Sequence, residues 1–173
     1  MKNKGFTIVE SLVAITILVL AITGVTSTVQ TSLSSYIFSK NQIIAFYLAQ
    51  EGFEQIRNMR DENSLKSQED WLYGLDPCFD ENGCYFNPAL DAPDSDPIAC
   101  SGNCPLLRQN VNNGLFGYSS SLSWTDTIFR RTVLLMQVNP VNPNEISVLV
   151  TIDWSKGAVN RQFEARENIF NSR

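Results

Sequence analysis

Histidine is absent from the 173-residue chain. That absence removes Ser-His-Asp and Cys-His catalysis, and histidine-based metal sites with them. Basic residues are also scarce: 13 Lys plus Arg stand against 18 Asp plus Glu, for a formal charge of −5, and they form no run. Phosphate backbones are held by clustered Lys and Arg, so direct nucleic-acid binding is not expected. No spacing of carboxylates proposes an acid–base pair, so no enzyme, catalytic residue or cofactor is expected. What the chain does have is apolar bulk. Hydrophobic residues make up 43%, enough for a core in one modest domain with an appended element.

Much of that bulk lies in one place, Phe6 to Val25, where Glu10 is the sole ionisable residue. About 20 mostly apolar residues suffice to cross the hydrocarbon of a bilayer as a helix. Lys2 and Lys4 precede the run and would hold the N-terminus in the cytoplasm, with the rest of the chain outside. A secretory signal would have a shorter apolar region with a small-residue cleavage site after it. Here the small residue, Gly5, comes before the run. A plain single-span anchor, with Glu10 snorkelling to the headgroups, needs neither Gly5 nor an acid.

The stretch from Lys4 to Ala14, K-G-F-T-I-V-E-S-L-V-A, resembles the class III leader of type IV prepilins and type II secretion pseudopilins. That pattern is a glycine followed by F-T, two aliphatics and E. The resemblance implies cleavage between Gly5 and Phe6 by a prepilin peptidase, then N-methylation of Phe6. It implies that the apolar segment stays on the mature protein as membrane anchor and filament core. It also gives Glu10 a purpose. A charge at a bilayer centre costs roughly 2.5–3.5 kcal/mol on insertion scales, less near an interface. In a filament, the Glu10 carboxylate would pair with the Phe6 ammonium of a neighbouring subunit. Other implied partners are further pilin or pseudopilin subunits, the cytoplasmic membrane and an inner-membrane assembly platform.

Beyond Val25 the chain is rich in Ser and Thr, and Gly24 and β-branched residues weaken helix there without forbidding it. From Tyr36 a helical pattern resumes, with Ile37, Ile44, Leu48, Ile56 and Met59 near one face and Gly52 where backbones approach closely. The spacing predicts one helix from about residue 6 to about residue 61, its second half amphipathic and packed on a head. The hydroxyl-rich middle is expected to loosen in a filament, as in the family. Asp70 ends a capping signal ahead of a turn at Trp71 and Leu72.

Residues 64–114 read as an irregular region rich in Asp, Asn, Pro, Gly and Cys. Residues 115–173 read as β. Ile146, Val148, Val150, Ile152 and Trp154 alternate, Ser155-Lys156-Gly157 turns the chain into Val159 to Ile169, and Phe129 to Val138 forms the strand before them. Leu115 to Trp124 adds an earlier strand. The expected fold class is α+β, with a long N-terminal helix, transmembrane in its first half, on an antiparallel sheet of three to four strands. The organisation is a cleaved leader at 1–5, a membrane and filament-core helix at 6–25, its amphipathic continuation at 26–63, then the irregular region and the sheet. The type IV pilin head is built this way. Phe129-Arg130-Arg131-Thr132-Val133 followed by V-x-V-x-I-x-W is similar to minor pilins and minor pseudopilins of the PilV and GspI kind.

Cys78, Cys84, Cys100 and Cys104 lie in the part expected to leave the cytoplasm, where thiols oxidise. Four cysteines allow three connectivities. The local pairs Cys78–Cys84 and Cys100–Cys104 are favoured over a nest of Cys78–Cys104 around Cys84–Cys100, and either contributes on the order of 2–3 kcal/mol. Gaps of five and three residues fit zinc knuckles poorly. Asp91, Asp94 and Asp96 are a weak calcium candidate, but the EF-hand pattern is missing and a solvated acidic loop is the simpler reading. Arg130 and Arg131 fall on opposite faces of a strand. Tyr73, Tyr85, Phe86, Phe116 and Tyr118 form either an exposed recognition surface or a small core beneath loops.

The leading expectation is a structural filament subunit, minor in role, that ends at the cell surface or in the periplasm. A secretion or DNA-uptake pseudopilin, or a tip-located binding module using the cysteine-bounded loops, stands beside it.

Overall fold

The computed structural model describes residues 5, 7–66, 70–87, 96–139, 141–157 and 159–171. The chain divides into two compact units, Met1–Gln42 and Ile43–Arg173, and one helix, α1 (Ile8–Leu65), contributes to both. In the first unit every side chain from Ile8 to Tyr36 is exposed. The run is helical throughout despite Gly24 and its β-branched residues, because a helix satisfies every backbone group within the segment.

The second unit is the head. Along its stretch of α1, Ala45, Leu48, Ala49, Gly52, Phe53 and Ile56 are buried at spacings of three and four, the stripe of a helix with one face on a core. Gly52 lets helix and sheet approach closely. A Cβ there would lie 3.1 Å from Cγ1 of Val150 on the opposing sheet. At the end of α1 the buried Asn63 amide donates to the carbonyls of Trp71 and Tyr73, at 3.2 and 2.9 Å, and so ties the following turn to the helix. The Asp70 carboxylate accepts from Leu72 N–H at 2.9 Å to start that turn.

The sheet is antiparallel and its backbone is β5 (Trp124–Asn139), β6 (Asn142–Lys156) and β7 (Val159–Phe170). β5 pairs with β6 from Phe129↔Trp154 to Asn139↔Asn142, and β6 with β7 from Glu145↔Phe170 to Lys156↔Val159. Strict alternation sends Phe129, Val133 and Leu135 of β5 and Ile146, Val148, Val150, Ile152 and Trp154 of β6 into the core with the helix stripe. On the outer edge, Arg57 of α1 bonds Glu167 of β7; that hydrogen bond raises the arginine's pKa most.

The sheet has seven strands among the described residues rather than three or four. The additional ones are short: β1 (Cys84–Tyr85), β2 (Ile98–Ala99), β3 (Leu106–Asn110) and β4 (Phe116–Gly117). β1 and β3 both pair with the free edge of β5, β1 at Val133 and β3 from Arg130 to Trp124. Residues 118–123 do not extend β4, because serine hydroxyls there serve neighbouring groups. Ser121 N–H donates to the Ser119 hydroxyl, and the Ser121 and Ser123 hydroxyls bond each other at 3.1 Å.

Candidate functional site

The N-terminal segment is organised by Thr7. Its hydroxyl oxygen accepts from Glu10 N–H at 3.3 Å, and its carbonyl accepts from Ser11 N–H at 3.2 Å. Thr7-x-x-Glu10 is the spacing of a capping box, a signal present in the sequence that the longer leader motif overshadows. Glu10 therefore sits at the third helical position, where the positive end of the helix favours a carboxylate by about 0.3–1 kcal/mol. Its side chain is exposed, as is Gly5, which has open space around its Cα. Lys2, Lys4 and Phe6 lie outside the described residues.

Below this cap the apolar surface is continuous. Ile8, Val9, Leu12, Val13, Ile15, Ile17, Leu18 and Leu20 are all more than half exposed. The helix is long and apolar enough to cross a membrane, by length and composition. Its hydroxyls do not spoil that surface. Thr16, Thr23, Thr26, Thr28, Thr31 and Ser32 each donate to the carbonyl four residues earlier, so each polar hydrogen is satisfied within the helix. One N-terminal apolar helix of this kind fits the single-pass anchor of a prepilin-type protein.

In the head, Cys78 is bonded to Cys84 and Cys100 to Cys104, with Cα separations of 4.6 and 4.8 Å. The first bridge ties a 3₁₀ turn (Asp76–Phe79) to β1, and the second joins the end of β2 to the approach to β3. The bridges are neighbours, since Cys84 pairs with Ala99 across β1 and β2. Among the described residues no group of three His, Cys, Asp or Glu is placed to hold a metal. Asp96 is exposed, and Asp91 and Asp94 lie outside the described residues. Of the aromatics, Phe86 is buried and Phe116 and Tyr118 pack on the core, while Tyr73 is exposed.

Arg130 and Arg131 do take opposite faces of β5, with unequal surroundings. Arg131 is fully buried against α1. Its Nη1 donates to the Leu48 carbonyl at 3.2 Å and to the Glu51 carboxylate at 2.9 Å, while Nε and Nη2 have no hydrogen-bond partner. The Tyr118 hydroxyl is buried close by, near enough to feel the guanidinium but not aligned for a hydrogen bond. Its pKa is pushed up to about 12, chiefly by burial, with Arg131 opposing the shift and Tyr85 and Glu51 adding to it.

This shift has a measurable consequence. Between about pH 10 and 12 the folded chain holds a proton on Tyr118 that the unfolded chain has lost, so stability falls as pH rises through that window. The loss by the upper end is roughly 2 kcal/mol. Tyr118→Phe is expected to remove that part of the alkaline decline, read as the difference between the two proteins in urea unfolding across the window. Parallel declines would mean that Tyr118 ionises as freely in the fold as outside it.

A family model described as the prokaryotic N-terminal methylation motif matches residues 1–26. No curated protein and no solved structure gives a significant match to the chain. The matched span holds Gly5, the Thr7 cap, Glu10 and the first turns of the apolar helix, and supports a type IV pilin-like prepilin leader at this end of the chain.

Proposed function

We propose that the chain is a structural subunit, minor in number, of a type IV pilus or related filament. The observation that carries this reading is the methylation motif at residues 1–26 leading into an uncovered apolar helix with one carboxylate in its first turn. Peptidase cleavage between Gly5 and Phe6 leaves a positive α-amino group four residues from Glu10. The Thr7 cap holds the start of the helix in shape, so that the Glu10 carboxylate is presented from an ordered turn to the ammonium of a neighbour. The leader stays cytoplasmic, and the disulfide-bonded head lies outside, where oxidised cysteines persist.

Intact mass and N-terminal sequence of the protein from membranes with and without active prepilin peptidase test the processing step. A chain beginning at methylated Phe6 only in the presence of the peptidase is expected. A chain starting at Met1 under both conditions would leave only a membrane-anchored domain. Glu10→Ala tests assembly separately. It is expected to be cut normally yet to lose about two orders of magnitude in subunit association, the equivalent of roughly 3 kcal/mol for a broken buried pair. Filaments forming at the normal level from Glu10→Ala would remove the docking role.

A further inference from the structure

On the sheet face turned away from α1, the β6–β7 turn and the Cys100–Cys104 loop border a cleft of about 440 Å³, within the range of small-molecule sites. Its floor is a block of the sheet. Arg130 of β5 stands between Leu106 of β3 and Asp153 of β6, directly opposed to each. One row along the same face, Ser155 of β6 is opposed by Asn160 of β7. Neighbouring strands lie about 5 Å apart, and alternate residues about 7 Å apart along a strand, so the block has roughly the footprint of one pyranose ring. Asn103 borders it from the disulfide-closed loop, and Leu106 and Ile128 add apolar surface that is over two-fifths exposed.

In charge, Arg130 and Asp153 balance each other, and Arg161, which also lines the cleft, is already engaged. In hydrogen bonds the pair is not closed. Among the described residues neither side chain makes a hydrogen bond or ion pair, and the Arg130 Nε–H is buried without an acceptor. Burial holds the Asp153 carboxyl above its usual range, with Arg130 opposing that shift and Glu164 adding to it. A donor without an acceptor beside an acceptor without a donor is completed by a group that is both. A hydroxyl is such a group, accepting from Arg130 while donating to Asp153. Ser155, Asn160 and Asn103 also donate and accept, so the polar wall calls for several hydroxyls on one compact frame. An anion would be set against Asp153 and Glu164, and a cation against Arg130. Leu106 and Ile128 suit the C–H face that a sugar ring presents beside its hydroxyls.

We propose that the cleft binds a neutral monosaccharide, with one hydroxyl bridging Arg130 and Asp153 and others meeting Ser155 and the two asparagines. This site stands independently of the filament reading, since it uses no residue of the N-terminal helix.

The test is calorimetric titration of the full-length chain, held in a detergent without sugar headgroups. The probes are glucose, galactose and mannose, with sodium glucuronate as the anionic control and leucine as the zwitterionic one. At least one of the three hexoses is expected to bind saturably, with glucuronate and leucine weaker by about tenfold or more. Asp153→Asn keeps the shape of the side chain but loses the charged acceptor, and is expected to weaken that hexose by about tenfold. Asn103→Ala, on an exposed loop, is expected to weaken it several-fold and reports the same cleft if Asp153→Asn does not fold. No saturable heat with any of the three hexoses overturns the proposal. Glucuronate or leucine binding as tightly as the hexose overturns recognition of a neutral ligand, and unchanged binding in both variants overturns this cleft as the site.

Discussion

Glu51→Ala is expected to lower the stability of the head by roughly 3 kcal/mol, whereas Arg131→Met is expected to be neutral or stabilising by about 1 kcal/mol or more. The asymmetry follows from where each charge sits. The Arg131 side chain is fully buried and that of Glu51 is 37% exposed. Removing Glu51 strands a buried cation that keeps the Leu48 carbonyl as its one hydrogen-bond acceptor. Removing Arg131 returns Glu51 to water, and a methionine side chain fills much of the vacated space beside Gly52 and Val150 without unmet donors. For a domain whose total stability is about 5–15 kcal/mol, the first change is severe. Urea unfolding of the single variants and of the pair is the check: in the double variant, Glu51→Ala should cost little. Equal losses from both single substitutions would mean that the guanidinium is a net stabilising group.

Gly83→Ala is expected to cost roughly 3 kcal/mol or more, against about 1 kcal/mol for Gly102→Ala. Both glycines have left-handed backbones, with φ of 68° and 86°. Around Gly102 there is open space for a methyl group, so only the backbone preference is lost. At Gly83 a Cβ would fall 2.6 Å from the Val133 carbonyl oxygen and 2.8 Å from Cγ2 of Thr132. The Val133 obstacle is backbone of the central strand and cannot swing away. β1 would have to withdraw, breaking the Cys84↔Val133 pairing and the 2.9 Å bond from Cys100 N–H to the Gly83 carbonyl. Matched thermal melts of the two variants measure the difference. Equal melting temperatures would show that β1 is loosely held.

Much of this architecture was legible in the residues. The apolar run up to Val25, described as helix from Ile8, the stripe through Leu48 and Ile56 and the alternation from Ile146 to Trp154 are long signals, and each has its element. The four short strands were not legible, because two residues such as Cys84 and Tyr85 carry no period. β1 and β3 are strands because β5 offers an edge, and β2 and β4 add to them in turn, with the two disulfides tying the β1–β2 end together. Leu115 to Trp124 reads as apolar enough for a strand, yet its serines engage one another, and only Phe116–Gly117 forms the short β4 before Trp124 opens β5. For Arg131, period two gives the face, but its partners Leu48 and Glu51 come from about 80 residues away, and no local pattern announces them. The cleft is less legible still, since Asn103, Arg130, Asp153 and Asn160 meet only once the sheet is formed.

The hydroxyls along the first half of α1 have one more consequence. Because Thr16, Thr23, Thr26, Thr28, Thr31 and Ser32 direct their polar hydrogens to their own helix, those six hydroxyls offer no open donor on its outer surface. Exchanging acyl chains for the side of another helix then breaks no polar contact and requires none to form. In the proposed filament, such a move would turn largely on shape and dispersion, with Glu10 the one carboxylate in the first turn of the helix to tell one destination from another.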